Sequence, residues 1–547
     1  MNQLGFPLLS IVLFVPLLGA LVTLFLGNNR PALKAWALVV TLADLVLACV
    51  LWGFYNYGTA DMQFVDRFAW IEPLGVSYFV GVDGISFWFL LLTVFLSPVA
   101  MLIACKYLDA NPQVNARSYL FLMLMLETGV LGVFAAMDLI LFYIFWEAML
   151  VPMYFLIGRW GGERRIYAAL KFFLYTMAGS TLMLVAIIAL AVLNQQATGV
   201  LTFDLTQLYG LPLAWWPQIW LFVAFGLAFA VKAPIWPLHT WLPDAYVESS
   251  TPVTVMLAGV LSKMAVYGLI RFCLPLFPDA VLFFRPWVWL LAIVGILYGS
   301  LIALVQKDLK RLVAYSSMAH MGMLVAGVMS ANAQGVQGAV IYSVSHGLTV
   351  TALFFFVYLL ELRRNTRQVA DFGGLWKSLP LLGTLFLVVI LAAIGLPGLS
   401  GFPGEFTMLV GIFRESSAAA VFATAGIVLG AWYMLDMFRK TFAGPLVRAE
   451  NRTLPDLTGR EALVLLPLVV LMFVVGILPG LFLRPTDASV ENLLSQADER
   501  RVVLLEGLDG IAWAPEGESG AVAAGAYEYT HHGGSTFAVQ SWVEGSR

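Results

Sequence analysis

Charge is what this chain has least of. Only 12% of its 547 residues are Asp, Glu, Lys or Arg, and 30 basic against 33 acidic residues leave no marked excess of either sign. Soluble domains carry about 25% charged residues, so water alone is not the solvent this surface suits. The near-neutral balance argues against nucleic acid as a partner, which would call for a basic face. Cysteine is scarce as well. Cys49, Cys105 and Cys273 stand far apart, with no CxxC and no Cys/His cluster, which argues against iron–sulfur, zinc and disulfide frameworks. No GxGxxG follows a strand and no P-loop occurs, so the usual seats for nucleotides are missing. The chain is expected to hold no redox cofactor, no nucleotide and no metal of its own.

Apolar residues fill the space that charge leaves: 61% of the chain is hydrophobic. A bilayer-crossing helix needs about 20 mostly apolar residues. Runs of that kind fall near 6–27, 33–54, 83–105, 117–136, 138–157, 167–193, 216–250 (interrupted), 252–273, 286–304, 311–329, 335–360, 379–414 (interrupted), 417–438 and 462–483. These fourteen runs predict an all-α polytopic membrane protein. The first residues, MNQLGFPLLS, have no basic flank and read as the start of a membrane helix, not a cleaved leader. Basic residues cluster after every second run: Arg30 and Lys34, Lys106 and Arg117, Arg159 to Lys171, Lys307 to Arg311, Arg363 to Lys377, and Arg439 to Arg460. The alternate loops are nearly bare. By the positive-inside rule, odd-numbered spans exit into the cytoplasm and both termini lie outside, on the periplasmic side of a bacterial inner membrane.

Two spans are broken. Lys232-Ala233-Pro234-Ile235-Trp236-Pro237-Leu238-His239 interrupts the seventh, and Gly395-Leu396-Pro397-Gly398-Leu399-Ser400-Gly401-Phe402-Pro403-Gly404-Glu405 the twelfth. Proline removes a donor and clashes with the preceding turn, and unwound backbone at membrane depth calls for a polar interior. Each break is the fourth helix in a set of five, spans 4–8 and 9–13. Two odd-numbered sets lie upside down to one another, the inverted-repeat plan of transporters. The expected organisation is helices 1–3 over 1–116, a first half-channel over 117–273, a second over 286–438, a last helix at 462–483 and a polar external tail over 485–547. That tail reads as loosely structured. Its His531-His532 pair is surface polarity sooner than a metal site, which wants four ligands.

A charged side chain at the bilayer centre costs about 2.5–3.5 kcal/mol or more on insertion scales, so such residues mark polar paths. Glu147 sits mid-span five, Lys232 at the first break, Lys263 mid-span eight, His320 in span ten, His346 in span eleven and Glu405 just past the second break, mirroring Lys232. Lys263 lies too far from either end of its helix to reach headgroups easily. Glu127 and Asp138 are weaker candidates, Glu127 with a partner on a neighbouring helix or subunit. Asp44 and Asp436 receive no role.

The motifs around these residues resemble a known family. PheTrpGluAlaMetLeuValPro at 145–152, LysAlaProIleTrpProLeuHisThrTrpLeuProAspAla at 232–245, LeuSerLysMetAlaValTyrGly at 261–268, SerSerMetAlaHisMetGly at 316–322 and GlyLeuProGlyLeuSerGlyPheProGlyGlu at 395–405 are similar to the antiporter-like membrane subunits of the proton-pumping NADH–quinone oxidoreductase, respiratory complex I. The large subunits of Mrp sodium/proton antiporters share the pattern and are the alternative. The resemblance covers roughly residues 1–485. It implies a proton path in which Glu147 and Lys232 form an intramembrane ion pair, Lys263 is the central carrier, His320 and His346 continue the path, and Glu405 is terminal. A terminal glutamate, where two sibling branches have lysine, points to one branch of the family. The resemblance further implies membrane partners, the sibling antiporter-like chains L and N, with NADH, FMN, iron–sulfur clusters and quinone held in other subunits. The direction of proton transfer does not follow from the sequence.

Overall fold

The computed structural model describes residues 5–509, 527–530 and 536–539. The chain forms two compact units, Met1–Arg501 and Val502–Arg547. In the second, Tyr527–Thr530 and Thr536–Val539 pair as antiparallel strands. His531 and His532 lie outside the described residues.

The first unit is built of helices, because hydrocarbon leaves backbone groups no partner but the chain itself. Among the described residues, twelve helices are long and apolar enough to cross a membrane. Leu8–Phe25 and Arg30–Phe54 sit at the periphery and turn Phe25, Val39 and Val46 outward. Thr251–Leu276 and Ala333–Arg364 are the opposite case, buried along the whole of their apolar windows. These two central helices carry Lys263 and His346, so other helices separate both side chains from lipid. The difference from fourteen has a physical origin. Leu309–Val328 carries Lys310, Arg311, Ser316, Ser317 and His320 and is too polar to count, while the twelfth run is split into the short helices Pro380–Ala393 and Gly401–Glu415.

Both breaks lie where proline and glycine put them. Helix Trp215–Lys232 stops at Lys232 and resumes at Trp241–Glu248. Between Ala393 and Gly401 the chain turns through Gly395 (φ 73°) and Gly398 (φ 89°), conformations a side chain disfavours. A third interruption falls at Met149, between Leu139–Ala148 and Leu150–Trp160, where Pro152 lacks the N–H that Ala148 would receive. The helix Thr251–Leu276 is wound more loosely at Leu257–Leu261 and Leu269–Cys273, each a π-helical turn.

Two features depart from the sequence reading. Residues 63–82 form a β-hairpin, Gln63–Ile71 paired antiparallel with Val76–Val82. The tail is not loose at its start, since one helix runs Gly480–Asp509. Val490, Leu493 and Ala497 of that helix are buried at helical spacing, Ser489 Oγ accepts from Gly84 N at 2.9 Å, and Arg500 donates to Leu208 O (3.0 Å), Pro275 O (2.6 Å) and Leu211 O. An amphipathic stripe, unlike a transmembrane run, leaves mean hydropathy low, and so the segment reads as a polar tail.

Two backbone clasps have the same design. Asp138 caps Leu139–Ala148, accepting from Ile140 N (3.0 Å) and Leu141 N (3.1 Å), while Leu139 N bonds Phe203 O (2.9 Å) and Leu205 N bonds Met137 O (2.9 Å). Asp308 caps Leu309–Val328, accepting from Lys310 N (2.8 Å) and Arg311 N (3.0 Å), while Leu309 N bonds Arg367 O (2.9 Å) and Val369 N bonds Lys307 O (2.8 Å). Asp138 also accepts from Ser77 N of the hairpin at 2.9 Å. Its carboxylate is thereby committed to holding backbone.

Candidate functional site

Lys263 lies on the short α-helical stretch between the two π turns and is fully buried. The first π turn shapes its surroundings. Ser262 N bonds Leu257 O, five residues back, at 3.2 Å, so Ala258 O is left to accept from Ser262 Oγ (3.1 Å) and from the Lys263 ammonium. The same ammonium lies 2.7 Å from Nδ1 of His346. A lysine Nζ has only donors to offer as a cation, and an imidazole nitrogen and a backbone carbonyl are fitting acceptors.

From His346 the polar groups continue. Its ring centroid lies 5.5 Å from that of His320. A small cavity, about 10 Å³, is lined by both imidazoles together with Ser316, Ser317 and Thr349. That is room for about one water molecule. His346 Nε2 and Ser317 Oγ are buried and have no hydrogen-bond partner among the described residues, which is the polar lining such a water needs. His320 Nδ1 lies 2.6 Å from the hydroxyl of Tyr342, and that hydroxyl donates to Glu405 Oε1 at 2.5 Å. Glu405 is buried beneath the second break, with Ser345 Oγ donating to Ser400 Oγ (2.9 Å) to tie the break to the His346 helix. Four of the six residues singled out from the sequence, Lys263, His346, His320 and Glu405, thus fall in one polar row. Tyr342 joins the row and was not foreseen. The available signal was its position four residues before His346, on the same helix face.

The other two residues stand apart from the expectation. Among the described residues no ion pair links Glu147 to Lys232. The Lys232 ammonium is buried against Met149 Sδ (3.9 Å) and over the rings of Trp146 (5.2 Å) and Phe172 (5.5 Å). Aromatic faces stabilise a cation by about 0.5–2 kcal/mol, so the lysine rests on them where a carboxylate was expected. Glu147 Oε1 is buried without a hydrogen bond among the described residues.

Around the first break a second polar group collects: Lys171 pairs with Asp244 at 2.8 Å, Tyr175 meets Thr240 at 2.9 Å, and His239 is buried with its ring 5.3 Å from that of Tyr298 and its Nδ1 unpartnered among the described residues. His239 also escaped the sequence reading, which treated its run as a break and no more. Glu127 and Asp44 are both buried, on the packed helices Ala116–Ala135 and Arg30–Phe54, without a basic partner among the described residues. Asp436 pairs with Arg439 and Lys440 near a helix end. No group of three or more His, Cys, Asp or Glu side chains suited to a metal ion occurs among the described residues.

Comparison with known proteins adds to this geometry. The family model "NADH:quinone oxidoreductase/Mrp antiporter, TM" matches residues 136–430, and "NADH-ubiquinone oxidoreductase chain 4, amino terminus" matches residues 11–131. The NADH-quinone oxidoreductase subunit M of Rhodobacter capsulatus is 42% identical over 500 residues, which are 89% of this chain and 96% of that one. A chain in the structure of respiratory complex I from Thermus thermophilus with bound NADH superposes with a TM-score of 0.80 at 32% identity, covering 89% of this chain and 99% of its own length. A chain of the Mrp complex from Dietzia sp. has a TM-score of 0.77 at 22% identity, covering 91% of this chain and 100% of its own, a likeness of fold alone.

Proposed function

Since the chain belongs to the family of NADH-quinone oxidoreductase subunit M, we propose that it moves protons across the membrane as an antiporter-like subunit of respiratory complex I, driven by electron transfer from NADH to quinone in partner subunits. The observation that carries this is the row of ionisable groups in the bundle centre: Lys263 on His346, the His320 ring beside it, and His320 reaching Glu405 through one hydroxyl. Side chains of this kind are expensive in a membrane and earn their place by function. An Mrp-type sodium/proton antiporter subunit is the rival. It is less supported, since identity to the Mrp chain is 22% against 42% to a subunit M.

Glu147 and Lys232 form the control end of this path. When Glu147 is drawn off it, the Lys232 cation repels a proton on Lys263 and favours its departure toward His346. When the carboxylate swings onto Lys232, that repulsion is cancelled. Two unit charges about 4 Å apart interact by about 4 kcal/mol at an effective dielectric constant near 20. Moving one charge through about 100 mV takes about 2.3 kcal/mol, so one rearranged pair is of sufficient size. NADH, FMN, the iron–sulfur clusters and the quinone belong to other subunits in this reading, and sibling chains L and N are the neighbours. The two half-channels are 117–273 and 286–438. The matching clasps at Asp138 and Asp308, each starting the second helix of its five, support an inverted repeat. The basic loops support a plasma-membrane orientation with both termini external.

The test is proton uptake by proteoliposomes containing the assembled complex. Lys263→Ala and Glu405→Gln are each expected to reduce pumping strongly while the complex still assembles on a native gel. Unchanged proton-to-electron stoichiometry in both removes this row from the path.

A further inference from the structure

We propose that Tyr342 is itself a proton carrier, the obligatory hydroxyl between His320 and Glu405. This rests on the path proposed above and adds a member to it. His320 Nδ1 and Glu405 Oε1 are 3.8 Å apart, beyond hydrogen-bond reach, so the two do not exchange a proton directly. The Tyr342 oxygen lies 2.6 Å from the first and 2.5 Å from the second. The tyrosine is held there rigidly. It is buried, and Gly404 of the helix Gly401–Glu415 packs directly on its Cβ, an approach that a larger residue at 404 would block.

Donor and acceptor counting gives the contact a direction. A carboxylate only accepts and an ammonium only donates. With Tyr342 donating to Glu405, the oxygen's free lone pair faces His320, so Nδ1 of His320 carries the hydrogen on that side. At the other end, Lys263 donates to His346 Nδ1, so neutral His346 carries its hydrogen on Nε2, a buried atom with no partner among the described residues, on a ring that lines the cavity. These tautomers follow from the bonding partners, and both fit movement from Lys263 toward Glu405.

The step balances. His320, once an imidazolium, gives its Nδ1 proton to the Tyr342 oxygen while the original Tyr342 hydrogen passes to Glu405 Oε1. One N–H and one O–H bond break, and two O–H bonds form. His320 and Tyr342 end neutral and Glu405 ends as the carboxylic acid. The new Tyr342 hydrogen now points back at His320, so the hydroxyl must turn before the next proton can follow. Each passage therefore requires one reset at this residue.

The experiment uses the whole complex in proteoliposomes. Tyr342→Phe keeps the ring and its packing but removes the hydroxyl, and is expected to lower pumping-linked NADH–quinone turnover by about a hundredfold or more, the range for losing a positioned proton donor. Turnover and stoichiometry equal to the parent overturn the proposal. If Tyr342→Phe fails to assemble, 3,5-difluorotyrosine at 342 decides. It preserves shape and hydroxyl but alters acidity, so a proton carrier changes its pH–rate profile and solvent deuterium isotope effect, and a packing tyrosine leaves both unmoved. Glu405→Gln runs in parallel. Normal pumping there discards the path itself, whereas lost pumping there with a normal Tyr342→Phe discards the tyrosine alone.

Discussion

Lys263 illustrates how one side chain ties the central helices together. Its ammonium spans from the carbonyl of Ala258, freed by a π turn, to His346 on another helix. Gly395 is as specific at the far end. It adopts φ 73°, and a Cβ there would run into Oε2 of Glu405. Gly395→Ala is therefore expected to push the carboxyl away from Tyr342 and reduce pumping as Glu405→Gln does, with assembly retained. Proton uptake against a native gel checks this. A third pair acts on stability. Asp83, at the start of the Ser86–Ala110 helix, meets Arg271 at 2.5 Å and both are buried. Burial alone would raise the Asp83 carboxyl, but the Arg271 guanidinium outweighs it and holds it below its ordinary value. A depressed carboxyl contributes stability above its unfolded value, about 3.9, and loses it as pH falls through the folded value. Asp83→Asn strands a buried cation, at a cost of about 3–5 kcal/mol. Thermal denaturation of the solubilised complex should show a lower Tm for the variant at pH 7, with the gap to the parent closing below the usual carboxylate range. A gap that persists at low pH would mean the charge is not the cause. Lys263, His346, His320 and Glu405 were legible because ionisable groups stand out against apolar runs. Tyr342 was not, because a tyrosine in an apolar helix announces nothing until its hydroxyl is located. The seat of Lys232 was unreadable for another reason, since sequence gives residue types and not the rotamers that place its ammonium over Trp146.

Helices carried the next layer of information unevenly. The breaks were readable from Pro234, Pro237, Pro397 and the glycines beside it, as both are places where the chain has no helical option. The π turns were not, because they leave no composition signal. They have a testable consequence all the same. A π turn holds one residue more than the α-helix it interrupts, so deleting Val260 lets Leu257–Leu261 close to α geometry while its ends stay in place. Ala258 O is then taken by the backbone, and the Lys263 ammonium loses it. The variant should insert and assemble, with pumping several-fold lower; full pumping would show the freed carbonyl to be dispensable. The helix Gly480–Asp509 was missed because its stripe of Val490, Leu493 and Ala497 is diluted by polar neighbours. A chain ending at Arg484 loses the Ser489 and Arg500 bonds and is expected to give less assembled complex on a native gel than one ending at Asp509. Equal yields would reduce that helix to an ornament.

The first unit, Met1–Arg501, is a bundle with ionisable groups at its centre and apolar side chains outermost, the reverse of a soluble domain. Its outermost helices expose phenylalanine and valine, and its two fully enclosed helices hold Lys263 and His346. The basic loops give its orientation an expectation that can be tested. A cysteine placed at Ser535 is expected to react with a membrane-impermeant reagent in intact spheroplasts, and labelling only after lysis would invert the topology and the entry side of every proton. The enclosure also bears on how the protein is made. Lys263 leaves the ribosome 83 residues before His346. At about 5–20 residues per second, its helix waits roughly 4–17 s for its histidine. Throughout that interval a lone lysine stands at membrane depth, where insertion costs about 2.5–3.5 kcal/mol. The nascent chain must therefore keep that helix among earlier helices or at the insertion machinery, and hand it over only when the Ala333–Arg364 segment arrives.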